Sequence, residues 1–350
     1  MNQNWQNRKV LVTGGASFIG SHLVDALVAR GAQVRAVDNL SSGLLENIKG
    51  HIDAGAIEFR HEDLLNPDVA RRAAEEMEVV FHLAADHGGR GYIATHPVEC
   101  STNMILDGLV FKSAYEAGVE KVVFASSGCV YPTSKQMDPA EKVYLREDMV
   151  KAPYEADDLY GWAKLMAELT LKAYYEQYGM KSAACRFFTV YGPRCGENHA
   201  VMAMIARAFL RQNPFEVWGT GEQIRNWTYI DDIIEGTILA AEKIDDATAV
   251  NLGTTERIRV IDCAEEVIRL AGYDAKIKPL VDKPTGPLNR VADTSLAIEL
   301  LGRQPQVSFK EGLRRTFEWY FSTKDQAKVS WMMEEGVLMD RKVESMAATV

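Results

Sequence analysis

The stretch "KVLVTGGASFIGSHL", Lys9 to Leu23, constrains this chain more than any other. A short β-branched run, Lys9–Val12, leads directly into a glycine-rich turn, and the turn opens an amphipathic segment ending at Arg30. A strand, a glycine turn and a helix in that order form the phosphate-binding corner of a dinucleotide fold. Gly14 permits the tight turn, and Gly20 lets the helix pack close to the strand. The middle position, normally glycine so that backbone can approach a pyrophosphate, is Ser17. The sequence therefore predicts either that Ser17 adopts a compatible backbone conformation, its hydroxyl then free to donate to a phosphate oxygen, or that it pushes the ligand outward. Helix-end amides, including those of Phe18 and Ile19, supply most of the anion binding in either case.

The pattern beyond the turn extends this reading. Short β-branched runs at Gln33–Val37, Ile57–Arg60, Val79–Leu83, Lys121–Ala125 and Lys181–Phe187 alternate with helical periodicity at Ser21–Arg30, Asp68–Glu76, Asn103–Ala117 and Tyr160–Tyr178. This alternation predicts an α/β fold, a doubly wound parallel sheet of Rossmann type with a smaller α/β substrate-binding lobe. The expected division is residues 1–187 and 226–253 for the NAD-binding domain, 188–225 and 254–330 for the lobe, and 331–350 for a C-terminal tail. Asp38 ends the second strand about 20 residues beyond the glycines, where a carboxylate takes ribose hydroxyls and repels a 2′-phosphate, so NAD is expected rather than NADP.

Composition excludes several classes. The five cysteines, Cys100, Cys129, Cys185, Cys195 and Cys263, are scattered without metal-ligand spacing, so no metal site is expected and the thiols read as reduced, as in a cytoplasmic protein. No run approaches the roughly 20 apolar residues of a membrane span. A net charge of −10 disfavours nucleic acid and anionic lipid, so a phosphorylated ligand requires locally clustered arginines.

The ordered motifs "TGGASFIG", "VDNLSSG", "DL" (Asp63–Leu64), "FHLAA" (Phe81–Ala85), "YGWAK" (Tyr160–Lys164), "RFFTVYGP" (Arg186–Pro193) and "RNWTYIDD" (Arg225–Asp232) resemble the extended short-chain dehydrogenase/reductases that act on nucleotide sugars. Within them, "AADHGGRGYI" (Ala84–Ile93), "SSGCVYP" (Ser126–Pro132) and "FEVWGTGEQIRNWTYIDD" (Phe215–Asp232) are most similar to the GDP-mannose 3,5-epimerase branch. The resemblance implies a nucleotide-diphosphate sugar as substrate and a cofactor site including Asn39, Asp63, Leu64, Ala84, Ala85 and Asn103. It also implies a homodimer joined through helices Asn103–Ala117 and Tyr160–Tyr178; the apolar positions Leu165, Leu169 and Leu171 suit either that interface or the core.

Catalytic roles follow from the same resemblance and from elementary chemistry. Tyr160 and Lys164 are one helical turn apart and face one crevice. A tyrosine with a reference pKa of about 10 needs help to act as a base, and the Lys164 ammonium together with a nicotinamide cation is expected to favour its phenolate, with Ser127 holding the same substrate oxygen. Oxidation at sugar C4 acidifies the hydrogens at C3 and C5. Relatives that eliminate water carry an Asp-Glu pair where this chain has Gly128 and Cys129. The Cys129 thiol suits reversible proton exchange at carbon instead. The branch carries a lysine as partner acid where alignment from the following helix places His199, a residue that ordinarily titrates near neutrality. Arg225 and Arg290 match positions that grip the diphosphate; Gly88, Gly89, Arg90 and Thr189 match the substrate side. The expected activity is an NAD-dependent epimerase working through a 4-keto sugar. The alternatives are a UDP-hexose or UDP-glucuronate 4-epimerase, a nucleotide-uronate decarboxylase, a more distant 4,6-dehydratase, and a non-catalytic NAD-binding regulator.

Overall fold

The computed structural model describes residues 5–138 and 140–334. Its centre is a sheet built from β1 (Lys9–Thr13), β2 (Gln33–Asp38), β3 (Ile57–His61), β4 (Val79–His82), β5 (Lys121–Ser127), β6 (Lys181–Phe187) and β7 (Asp246–Leu252). The spatial order is β7-β6-β5-β4-β1-β2-β3, and every pairing is parallel. A parallel sheet must be covered on both faces. Alternate side chains of β1 accordingly enter different cores: Val10 and Val12 join Leu23, Leu27 and Phe81, while Leu11 joins Val80, Phe111 and Phe124. The strand order reverses beside β1, which opens a crevice at the carboxyl ends of β1, β4 and β5.

The helices that shape this crevice are α1 (Phe18–Ala29), α2 (Pro67–Ala74), α3 (Asn103–Glu116), α4 (Asp158–Tyr178) and α5 (Ile230–Lys243). α1 starts three residues before the expected Ser21, because the Ser17 side chain caps it. α4 stops where Gly179 takes the left-handed conformation at φ +71°. β7 is the strand missing from the sequence expectation. Its opening "DATA" has little β-branched character, and its register against β6 breaks between Asp246 and Ala249.

Small sheets follow the main one. Phe215–Trp218 pairs in parallel with Ile277–Leu280, and Ile224–Arg225 lies between Ile258–Arg259 and Asn289–Arg290. In that second sheet Arg290 stands in register with Arg225, so residues far apart in sequence lie side by side. The helix Phe309–Thr323 buries Leu313 and Tyr320 against the same core that underlies β1. Of the expected C-terminal tail 331–350, only the end of the helix Gln326–Glu334 is described; the remainder lies outside the described residues.

Candidate active site

The crevice is a cavity of about 390 Å³ running from the glycine turn to the small sheets. Its cofactor end settles the question of Ser17. Ser17 has φ −72° and ψ 173°, an extended conformation that needs no glycine. Its Oγ donates to the Gly14 carbonyl at 2.6 Å and accepts from the Gly20 amide at 3.3 Å. The hydroxyl proton is thus committed to the turn itself, contrary to the expectation that it is free for a phosphate. Phe18 and Ile19 open α1 on the cavity wall, where helix-terminal N–H groups favour an anion.

The two flanking glycines are required by space. Gly14 has φ +68°, and a Cβ there would stand 2.9 Å from the Ala84 amide nitrogen; a Cβ on Gly20 would stand 2.0 Å from the Gly14 carbonyl oxygen. These residues form a close backbone cradle of the kind a dinucleotide needs. Asp38, at the end of β2, accepts from the amides of Ala16 (3.0 Å) and Leu40 (2.8 Å), which fixes its carboxylate beside the turn. Next to it, Asn39 donates to Asp63 at 3.3 Å, and Leu64 follows at the end of β3. Asn103 is buried and clamps Asp86, accepting from its amide at 2.6 Å and donating to its carbonyl at 2.8 Å. Asn103 therefore shapes the loop after β4 from behind, whereas Ala85, Gly88, Gly89 and Arg90 of that loop line the cavity.

At the centre stand Ser127 from the end of β5 and Tyr160 and Lys164 from α4. Ser127 engages Tyr160 side chain to side chain, and Lys164, only 2% exposed, places its Nζ 5.8 Å from the Tyr160 ring centroid. Burial dominates both groups: it pushes the Tyr160 phenol up and the Lys164 ammonium down, the latter opposed first by the Asp107 carboxylate. The expected promotion of the phenolate by Lys164 is therefore outweighed in the protein alone. Behind Lys164, α4 is locked to β6 by the buried Arg186–Glu168 ion pair at 2.7 Å.

The end of the cavity away from the glycine turn brings together residues from distant segments. Cys129 is 8% exposed on the cavity wall, and its amide donates to Ser127 Oγ at 3.1 Å. Arg290 Nη1 donates to Cys129 Sγ at 3.1 Å, Nη2 to Asp157 at 2.7 Å and Nε to Gln136 at 2.7 Å. Arg90 also donates to Asp157, at 3.1 Å, and pairs with Asp158 at 2.7 Å. Arg225 donates to the Ile224 and Thr285 carbonyls; burial, together with Arg290 and Arg90, lowers its pKa to about 9. Three guanidiniums thus converge around Asp157, a residue absent from the sequence expectation.

His199 and Thr189 both line this cavity, and the His199 ring lies 6.3 Å from that of His87. Burial pushes its pKa down to about 4, below the near-neutral value ordinary for histidine, so it is neutral at neutral pH. His87 and Arg207, also on the wall, are absent from the sequence expectation. Their only sequence signal is position, in the loop after β4 and on the helix following His199.

A glycine cradle, a half-buried tyrosine paired with a buried lysine and a serine at the strand end define an NAD-using enzyme of the short-chain dehydrogenase/reductase class. The chain belongs to the NAD dependent epimerase/dehydratase family, which it matches over residues 10–253. It is 33% identical to GDP-mannose 3,5-epimerase of Arabidopsis thaliana over 326 residues, covering 91% of this chain and 84% of the relative. It is 31% identical to UDP-glucose 4-epimerase of Mycolicibacterium smegmatis over 332 residues, covering 91% of this chain and all of that protein. The solved UDP-glucose 4-epimerase of Thermus thermophilus in complex with NAD superposes with a TM-score of 0.78 at 29% identity, covering 90% of this chain and 99% of the other. Among the described residues no helix is long and apolar enough to cross a membrane.

Proposed function

We propose that the protein is a GDP-mannose 3,5-epimerase-like enzyme that inverts C5, C3 or both through Cys129. The observation that carries this reading is the Cys129 thiol, set into the cavity wall next to Ser127 and joined to Arg290. Relatives acting on GDP-mannose and on UDP-glucose stand at nearly equal identity, so the preference rests on this sulfur rather than on ranking.

NAD, held at the Gly14–Gly20 turn and beside Asp38, would supply reversible hydride transfer at sugar C4. Tyr160 takes the C4 hydroxyl proton, with Ser127 hydrogen-bonded to the same oxygen and Lys164 supplying positive charge. The resulting ketone acidifies the neighbouring C–H bonds, and the Cys129 sulfur takes a proton from carbon. A solvent-derived proton added on the other face inverts the centre, the proton on Cys129 is released to solvent, and Tyr160 returns its own proton when C4 is reduced. His199 faces the same cavity as a neutral imidazole, able to accept a proton or to donate its N–H. Arg225, Arg290 and Arg90 hold the anionic part of the substrate against the chain's net negative charge.

The reading extends to organisation. Residues 188–225 and 254–330 act as the substrate lobe, and the buried cysteines, none of them in a disulfide, suit a reduced cytoplasmic setting. A homodimer is supported by apolar side chains exposed on α3 (Met104, Ile105) and α4 (Leu159, Trp162, Met166). Of the two readings open for the leucines of α4, the core one holds: Leu165 and Leu171 are core residues, and Leu169 packs against the cluster around Leu145 and Phe188. Trp162→Glu is expected to reduce the solution mass to that of a monomer.

The test is product analysis by NMR with NAD-loaded protein offered GDP-mannose, UDP-glucose and UDP-glucuronate separately. Turnover of GDP-mannose to C3- or C5-inverted products is expected, and turnover of UDP-sugars alone would contradict the proposal. Tyr160→Phe is expected to cut kcat by about 10²- to 10⁴-fold while NAD binding persists.

A further inference from the structure

Arg290 is expected from sequence to grip a diphosphate, yet three of its N–H groups are committed within the protein, to Gln136, Cys129 and Asp157. The arrangement is rigid. Gln136 is fully buried, and its amide group donates to the Tyr131 and Pro132 carbonyls, which fixes the oxygen that Nε meets. Asp157 is buried and tied to Cys129 a second time, since its amide donates to the Cys129 carbonyl at 2.9 Å. The guanidinium is therefore clamped on two sides, and its remaining contact is the sulfur.

We infer that Arg290 is the activating partner of Cys129: its Nη1 N–H, aimed by the hydrogen bonds that Gln136 and Asp157 accept, holds the sulfur as a thiolate facing the cavity. A thiolate is the form that takes a proton from carbon, and an adjacent guanidinium stabilises it. The inference deepens the proposed role of Cys129 and rests on it for its catalytic consequence. The other charged or titratable groups acting on Cys129 are Tyr160 and Lys164 from α4 and Arg225 from the neighbouring small strand. Asp157 offsets part of the positive charge but directs the fork. Of the five N–H groups on a guanidinium, one on each terminal nitrogen of Arg290 remains for a phosphate oxygen, so substrate binding and sulfur activation use the same side chain.

The experiment is alkylation of NAD-loaded protein by iodoacetamide across a pH series without sugar, with Cys129→Ser as the blank that assigns the reaction to this thiol. In Arg290→Gln the midpoint of the alkylation profile is expected to rise by about one pH unit or more, as loss of an adjacent opposite charge requires. Arg290→Lys keeps a charge but cannot hold Gln136, Asp157 and the sulfur together, so its midpoint rises less. An Arg290→Gln midpoint equal to that of the wild type overturns the inference. Should that variant fail to retain NAD, an unmoved midpoint in Arg290→Lys overturns it instead. The readout needs no substrate: a shifted midpoint supports the activation even where no sugar exchanges its carbon-bound protons, and that second result would count against the epimerase proposal alone.

Discussion

Ser17 Oγ donates to the carbonyl of Gly14 at 2.6 Å, so the residue that replaces the middle glycine braces the turn from within. The same oxygen caps α1 at the Gly20 amide. A serine at this point is compatible with the pocket because its backbone is extended, and its small side chain folds back onto the turn.

Ser17→Gly is therefore expected to leave NAD affinity nearly unchanged and to cost only a few tenths of a kcal/mol of stability. Gly20→Ala is expected to abolish NAD retention, because its Cβ would lie 2.0 Å from the Gly14 oxygen. Calorimetric titration with NAD checks both, and tight binding by Gly20→Ala would contradict the geometry.

The pair Arg186–Glu168 locks α4 to β6. Glu168→Ala strands a buried guanidinium and is expected to destabilise the fold by about 3–5 kcal/mol. Urea unfolding measures the loss. A change below about 1 kcal/mol would mean that the pair is not the lock between these elements.

His199 links stability to pH. Its folded pKa of about 4 lies below the ordinary 6.5, so the unfolded chain takes up a proton first as the pH falls. Its contribution is fully present above pH 6.5 and is lost between 6.5 and about 4, at up to about 1.4 kcal/mol per pH unit. His199→Gln is expected to flatten that part of the stability profile. Unfolding midpoints at neutral and mildly acidic pH, compared between the two proteins, give the answer; parallel profiles would refute the linkage.

Much of the fold is legible in the sequence because the glycine turn and the alternation of β-branched runs with helical segments are local patterns. The edge strand β7 escapes because an edge strand opening with "DATA" lacks that pattern. At the site, Tyr160, Lys164, Ser127 and Cys129 are visible as motif residues, and the cavity gathers all of them. Asp157 is not visible, since its importance lies in Arg290, 133 residues away, and in the register that sets Arg290 beside Arg225. Leu165 and Leu171 belong to the core, a choice the sequence leaves open because helical spacing finds a stripe without saying whether sheet or partner covers it. The protonation state of His199 depends on burial, which its sequence neighbours do not report.

The central claim is that Cys129 exchanges protons with carbon beside a transient ketone. Incubation of the NAD-loaded enzyme with GDP-mannose in deuterated water, followed by NMR of the recovered sugar nucleotide, tests it most directly. Deuterium at C3 or C5, lost in Cys129→Ser, is the predicted result; a sugar turned over at C4 with no label at either carbon would contradict it.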